Sequence, residues 1–146
     1  MCINVLVFGM TDNPGGMESC VMNYYRNIDK NEVHFDFLCN WEHMVYADEV
    51  TADGSRIYTI PKRSDDYKAY KEKMDEFFEK HAKDYDVLWY NTCTLANIDY
   101  LVYAKKYGIK KRIIHSHNSG NETSKLRGML HYQNYASVNE IKYVCD

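Results

Sequence analysis

The stretch that decides the fold is Ile3-Asn4-Val5-Leu6-Val7-Phe8, with Asn13-Pro14-Gly15-Gly16 shortly after it. The first six residues are a nearly continuous apolar, β-branched run, the pattern of a strand covered on both faces. The Asn-Pro-Gly-Gly segment breaks it. Beyond the break, Met17, Cys20, Val21, Tyr24, Tyr25 and Ile28 recur at helical spacing, which predicts a helix with these residues inward.

The same switch of period repeats down the chain. Val33 to Cys39 reads as a second strand, with Val33, Phe35 and Phe37 alternating against His34 and Asp36. Asn40 to Ser55 is polar and irregular. It predicts a loop with one helical turn, anchored by Trp41 and Met44. Arg56 to Ile60 predicts a short strand stopped by Pro61. Ser64 is placed to cap a helix whose core stripe is Tyr67, Tyr70, Met74, Phe77, Phe78 and His81. Asp86 to Tyr90 predicts a buried strand. A helix is expected from Leu95 to Tyr107, with Leu95, Ile98, Leu101 and Val102 inward and Gly108 as its stop. Arg112 to His115 predicts a strand, Lys125 to Tyr135 a helix, and Ile141 to Cys145 a last strand. This rhythm implies one Rossmann-like, doubly wound α/β domain over 1–146, with a mainly parallel sheet and helices on both faces.

Bulk properties exclude several classes. At 45% hydrophobic and 27% charged residues the chain is an ordinary globular domain. A net charge of −3 leaves no basic footprint for nucleic acid. Cys2, Cys20, Cys39, Cys93 and Cys145 form no C-x-x-C pair and fall mostly in apolar runs. They predict buried, reduced thiols and a cytoplasmic protein. The N-terminal apolar run is too short and lacks the charged flank of a signal peptide.

Ligands of open α/β sheets collect beyond the carboxyl ends of the strands. Three polar clusters are expected there: the loop from Gly9 to Gly16, Asn91-Thr92, and His115 to Asn118. Gly15 and Gly16 precede a helix N-terminus, whose free N–H groups and dipole favour a phosphate. The spacing matches neither a dinucleotide fingerprint nor a Walker A loop, which speaks against a nicotinamide dehydrogenase or P-loop NTPase. Glu18 is best read as a carboxylate complementing the helix dipole rather than a catalytic group. His115 and His117 could begin a metal site, but no acidic or cysteine neighbour in the sequence completes it, so no metal is expected. His115 is expected to pack against a helix while His117 faces the cleft. The basic residues Lys105, Lys106, Lys110, Lys111 and Arg112 belong to the opposite edge, as a solvated turn or a contact for anionic lipid.

The run Thr11-Asp12-Asn13-Pro14-Gly15-Gly16-Met17-Glu18 resembles the Gly-Gly-x-Glu start of glycosyltransferase family four. Arg112-Ile113-Ile114-His115-Ser116-His117-Asn118-Ser119 is similar to that family's strand-then-histidine element, especially in bacterial capsular and exopolysaccharide transferases. Tyr143-Val144-Cys145-Asp146 resembles the strand where the family has a cysteine-serine pair, with Asp146 in the serine's place. The likeness runs over essentially the whole chain.

What the resemblance implies is the N-terminal, acceptor-side half of a GT-B enzyme that moves a sugar from a nucleotide-sugar to a glycan or lipid-linked acceptor. Transfer would be retaining and independent of metal or other cofactor. Gly15 and Gly16 would approach the donor diphosphate, and His117 would contact the donor sugar as the catalytic histidine. Asn91, Thr92, Asn118, Lys125 and Arg127 would form the acceptor side. The family's donor-binding domain, with its paired glutamates, is not in these 146 residues. The chain alone is therefore expected to be inactive and to need that domain as partner. Location would be cytoplasmic, with peripheral contact at the inner face of the membrane. Two other readings compete: a non-catalytic Rossmann-like module binding sugar, nucleotide or a protein partner, and an unrelated doubly wound enzyme binding flavin or nicotinamide.

Overall fold

A computed structural model describes residues 1–117, 125, 126, 129, 130, 133, 134 and 142–145. Six strands, β1 (Ile3–Phe8), β2 (Val33–Cys39), β3 (Ile57–Thr59), β4 (Val87–Thr92), β5 (Lys111–Ser116) and β6 (Lys142–Cys145), form one sheet in the order β3-β2-β1-β4-β5-β6. Every pairing is parallel. The order reverses between β1 and β4, the crevice where doubly wound sheets receive ligands. The Rossmann-like, doubly wound arrangement read from the sequence is the one observed.

Parallel strands need crossovers, and these cover both faces. The helix α1 (Gly16–Asn27) lays Val21, Met22 and Tyr25 over Val5, Val7, Phe37 and Trp89. On the other face, α3 (Tyr67–His81) and α4 (Asp99–Lys106) pack Tyr70, Met74, Phe78, Leu101 and Ala104 against Leu6, Leu38, Leu88 and Ile114. Neighbouring residues of β1 thus point into different cores, which is why its sequence is apolar without alternation.

The irregular stretch after β2 does hold its short helix, α2 (Ala47–Ala52), and buried Met44 as expected, with buried Val50 as an anchor that the sequence reading did not name. Several expectations are corrected. The cap of α3 is Asp66, whose carboxylate accepts from the Ala69 N–H at 2.9 Å; the Ser64 hydroxyl instead donates to Asp65. Tyr67 and Tyr24 are exposed, because each lies at the margin of its helix's buried stripe. α4 begins only at Asp99. Leu95 is buried before it, in a loop, and Val102 faces outward. The thiols are not uniformly buried: Cys39 is, Cys20 is half-buried, and Cys2 and Cys93 are exposed. Apolar neighbours in sequence do not bury a residue that lies at a terminus or past a strand end. Residues 125, 126, 129, 130, 133 and 134 are helical, as the spacing predicts.

Asp36 is the main polar surprise in the interior. Its side chain is fully buried, enclosed by Arg56, Tyr85 and His34 on a face that the alternation with Phe35 and Phe37 had set apart as polar. The Arg56 N–H donates to Oδ1 at 2.7 Å, and the Arg56 guanidinium and Tyr85 hydroxyl reach Oδ2 at 2.7 and 2.8 Å. His34 Nε2 lies 2.9 Å from Oδ1. Burial opposes ionisation. The hydrogen bonds from the Arg56 amide, Tyr85, the Arg56 side chain and His34 outweigh it, holding the carboxyl below the usual aspartate range.

Candidate functional site

The carboxyl edge is built around one close approach. Gly9 follows β1 with φ +126°, and a Cβ there would lie 2.6 Å from the Asn91 carbonyl oxygen. Only glycine allows β1 to turn across the end of β4. The chain then runs to α1 through a loop held by Glu18. Glu18 is 4% exposed; it accepts from the Thr11 hydroxyl at 2.7 Å and from the Gly15 N–H at 3.1 Å. It therefore fixes the glycine turn and the first helical turn.

Gly15 and Gly16 are exposed at the N-terminus of α1, as expected. A Cβ on Gly15 would meet the Glu18 carboxylate at 2.7 Å, whereas one on Gly16 would meet nothing within 4 Å. The fold itself does not require the missing side chain at Gly16. Its effect is to leave the helix N-terminus open to an approaching group.

Strand register brings the other clusters together. Asn91 of β4 is the partner of His115 of β5, and the His117 N–H donates to the Thr92 carbonyl at 3.0 Å. His115 is buried, its ring stacked on Trp89 (5.8 Å between centroids) and on His117 (4.2 Å). His117 is half-buried, with Nε2 3.0 Å from Asn91 Oδ1. The expected division, His115 packed inward and His117 nearer the cleft, is what the fold produces. Asn91 itself is 1% exposed, behind His117, and its Nδ2 finds no hydrogen-bond partner among the described residues. The contact with Asn91 fixes the orientation of the His117 ring.

Of the remaining expected residues, the Thr92 hydroxyl donates to the Thr94 carbonyl at 2.7 Å and so shapes the local turn. Lys125 is exposed in a helical segment. Asn118 and Arg127 lie outside the described residues. On the opposite edge, Lys106 pairs with Asp75 at 2.8 Å, and Arg112 donates to the Ile109 carbonyl.

Two features were not legible. A polar cleft of ≈ 710 Å³ runs beside the ends of β2 and β3, lined by Asp12, Asn40, Trp41, His43 and Lys62 among others. Lys62 Nζ lies 3.2 Å from the Trp41 ring centroid. The second feature corrects the sequence reading of the histidines, which found no third donor. Cys20 Sγ and one ring nitrogen each of His115 and His117 all lie within 4.8 Å of one another. The second turn of α1 crosses the end of β5, and no local spacing reports a meeting of residues 95 positions apart.

The fold and site thus define a Rossmann-like α/β domain whose carboxyl edge gathers a glycine turn, an open helix N-terminus and an oriented histidine. Over 50 residues the chain is 42% identical to the Bacillus subtilis (strain 168) protein named "Putative glycosyltransferase EpsF". That stretch is 34% of this chain and 13% of the relative, so the likeness to a glycosyltransferase covers about a third of the chain. No family model and no solved structure matches it. Among the described residues no helix is long and apolar enough to cross a membrane.

Proposed function

We propose that this chain is the acceptor-side Rossmann-like domain of a retaining GT-B glycosyltransferase. It would move a sugar from a nucleotide-sugar to a glycan or lipid-linked acceptor in cell-surface polysaccharide synthesis, at the cytoplasmic side of the membrane. The carrying observation is the placement of Gly16 relative to His117. Cys20, one helical turn after Gly16, lies within 4.8 Å of a His117 ring nitrogen. The open helix N-terminus and the imidazole therefore lie on the same carboxyl edge. The partial relative supports the class of reaction.

In this reading the Gly15 and Gly16 backbone accommodates the donor diphosphate, and the helix dipole stabilises the charge that grows on the leaving phosphate. His117, oriented by Asn91, hydrogen-bonds the donor sugar. Thr92, Asn118, Lys125 and Arg127 belong to the acceptor side, with buried Asn91 acting on it through His117, and the Trp41–Lys62 cleft suits a polyhydroxylated ligand. A second domain beyond this chain holds the nucleotide base. The transfer step itself draws on no metal or cofactor.

The test uses the full-length protein with a panel of nucleotide-sugars and a lipid-linked acceptor, following release of the nucleoside diphosphate. Turnover is expected with one donor, and His117→Ala is expected to lower kcat by roughly 10²-fold or more with an unchanged melting temperature. Unimpaired turnover in His117→Ala removes the assignment of that residue. Failure to turn over any donor, with retained sugar or nucleotide binding, replaces the enzyme reading by that of a binding module.

A further inference from the structure

The geometry points to a binding site for a thiophilic divalent metal ion, of the zinc class, formed by Cys20, His115 and His117. Binding of the ion does not depend on the glycosyltransferase reading. Three side chains from two elements converge on one point: a thiol from α1 and two imidazoles from the end of β5, with all donor atoms within 4.8 Å. In a tetrahedral zinc site the corresponding atoms are about 3.3–3.6 Å apart at ordinary Zn–S and Zn–N lengths. The trio closes to that range with side-chain movements of roughly an ångström and some fanning of the two stacked rings.

The chemistry of the set selects the ion. One sulfur and two imidazole nitrogens, with no carboxylate in the cluster, favour zinc, cobalt or copper over magnesium and calcium, which take oxygen. The three protein ligands among the described residues leave a fourth position for water or a ligand atom, as in zinc sites that act on substrates.

The surroundings have the form of an outer shell. Asn91 Oδ1 lies 3.0 Å from His117 Nε2 and holds the ring in place, as an outer-shell partner does. Trp89 stacks on the buried His115 ring and sets its plane. Asn91 is itself immobilised where Gly9 meets its backbone. On binding, the Cys20 thiol loses its proton to solvent and the thiolate takes the ion. The ion and the donor sugar would then be alternative occupants of the His117 pocket.

The experiment is titration of the metal-stripped full-length protein with Co²⁺, followed by displacement with Zn²⁺. We expect a thiolate-to-cobalt charge-transfer band and the visible bands of tetrahedral cobalt, both lost on adding zinc. Cys20→Ser should abolish the charge-transfer band, and His117→Gln should lower affinity by more than the roughly 10–100-fold that loss of an outer-shell partner costs. Both residues are half-buried, so these variants should fold, as circular dichroism will check. Cys93→Ser, which alters an exposed thiol elsewhere, should keep the band. Absence of the band in the unaltered protein overturns the site, as does its persistence in Cys20→Ser.

Discussion

Asp36 and Asn91 are both buried polar residues on neighbouring parts of one sheet, yet they are treated in opposite ways. Around Asp36, toward the amino ends of β3 and β4, the Arg56 amide and guanidinium, Tyr85 and His34 all converge on one carboxylate. Asn91, at the carboxyl end of β4, directs one atom at His117 and leaves its amide nitrogen without a partner among the described residues. A satisfied buried carboxylate ties strands together. An unsatisfied buried amide weakens the fold locally, and such a departure from full pairing is the kind that functional sites carry.

The contrast is broken most directly at Asp36. Asp36→Ala strands the Tyr85 hydroxyl and the Arg56 amide, and should lower unfolding stability by about 3 kcal/mol in urea titration, the low end for a broken buried pair. The low end applies because the Arg56 side chain is 52% exposed and can turn to water. Acid should reproduce part of this loss. The folded-state pKa of Asp36 lies below the ordinary value of 3.8, so its contribution is full above that value and fades as pH falls through the depressed one. The gap between the unaltered protein and Asp36→Asn should therefore shrink below about pH 4. A gap constant down to pH 2 would show that the carboxylate charge is not what holds the knot.

Gly9→Ala tests the join between the two regions. Its φ of +126° and the 2.6 Å approach to Asn91 predict a loss of about 2 kcal/mol, together with weaker cobalt binding as Asn91 is pushed from His117. Asn91→Leu is the sharpest comparison with Asp36. Removing the unpaired amide offsets the loss of the His117 hydrogen bond, so stability should change by no more than about 1 kcal/mol, while cobalt affinity falls roughly 10–100-fold. A large destabilisation would mean that Asn91 is a structural residue like Asp36. Smallest of all in stability is Gly16→Val. With no atom within 4 Å of the new Cβ, unfolding should shift by less than about 0.5 kcal/mol. The proposed turnover of the full-length protein should nevertheless be lost.

Local patterns carried the strands and most helices. A both-face-covered strand, a Gly-Gly break and a 3.6-residue stripe each report their own few residues. The cap at Asp66 rather than Ser64, and the late start of α4, were missed for the same reason: both depend on which of several adequate residues the turn geometry selects. At the site, the glycine loop, Asn91 and the histidine pair were legible as strand ends. Asn91's burial behind His117 was not, since it depends on the β4–β5 register and on Gly9.

By itself the sequence determined that this is a parallel α/β domain with polar residues at the carboxyl ends of its strands, because period and turn chemistry are short-range. Only the tertiary structure decided that Asp36 would be buried in the network that ties β2 to Arg56 and Tyr85. It likewise decided that the Asn91 amide nitrogen would find no partner among the described residues and that Cys20 would meet His115 and His117. Each of those outcomes follows from the β3-β2-β1-β4-β5-β6 order and the crossing of α1 over β5, which bring distant residues together by packing and leave no trace in local spacing.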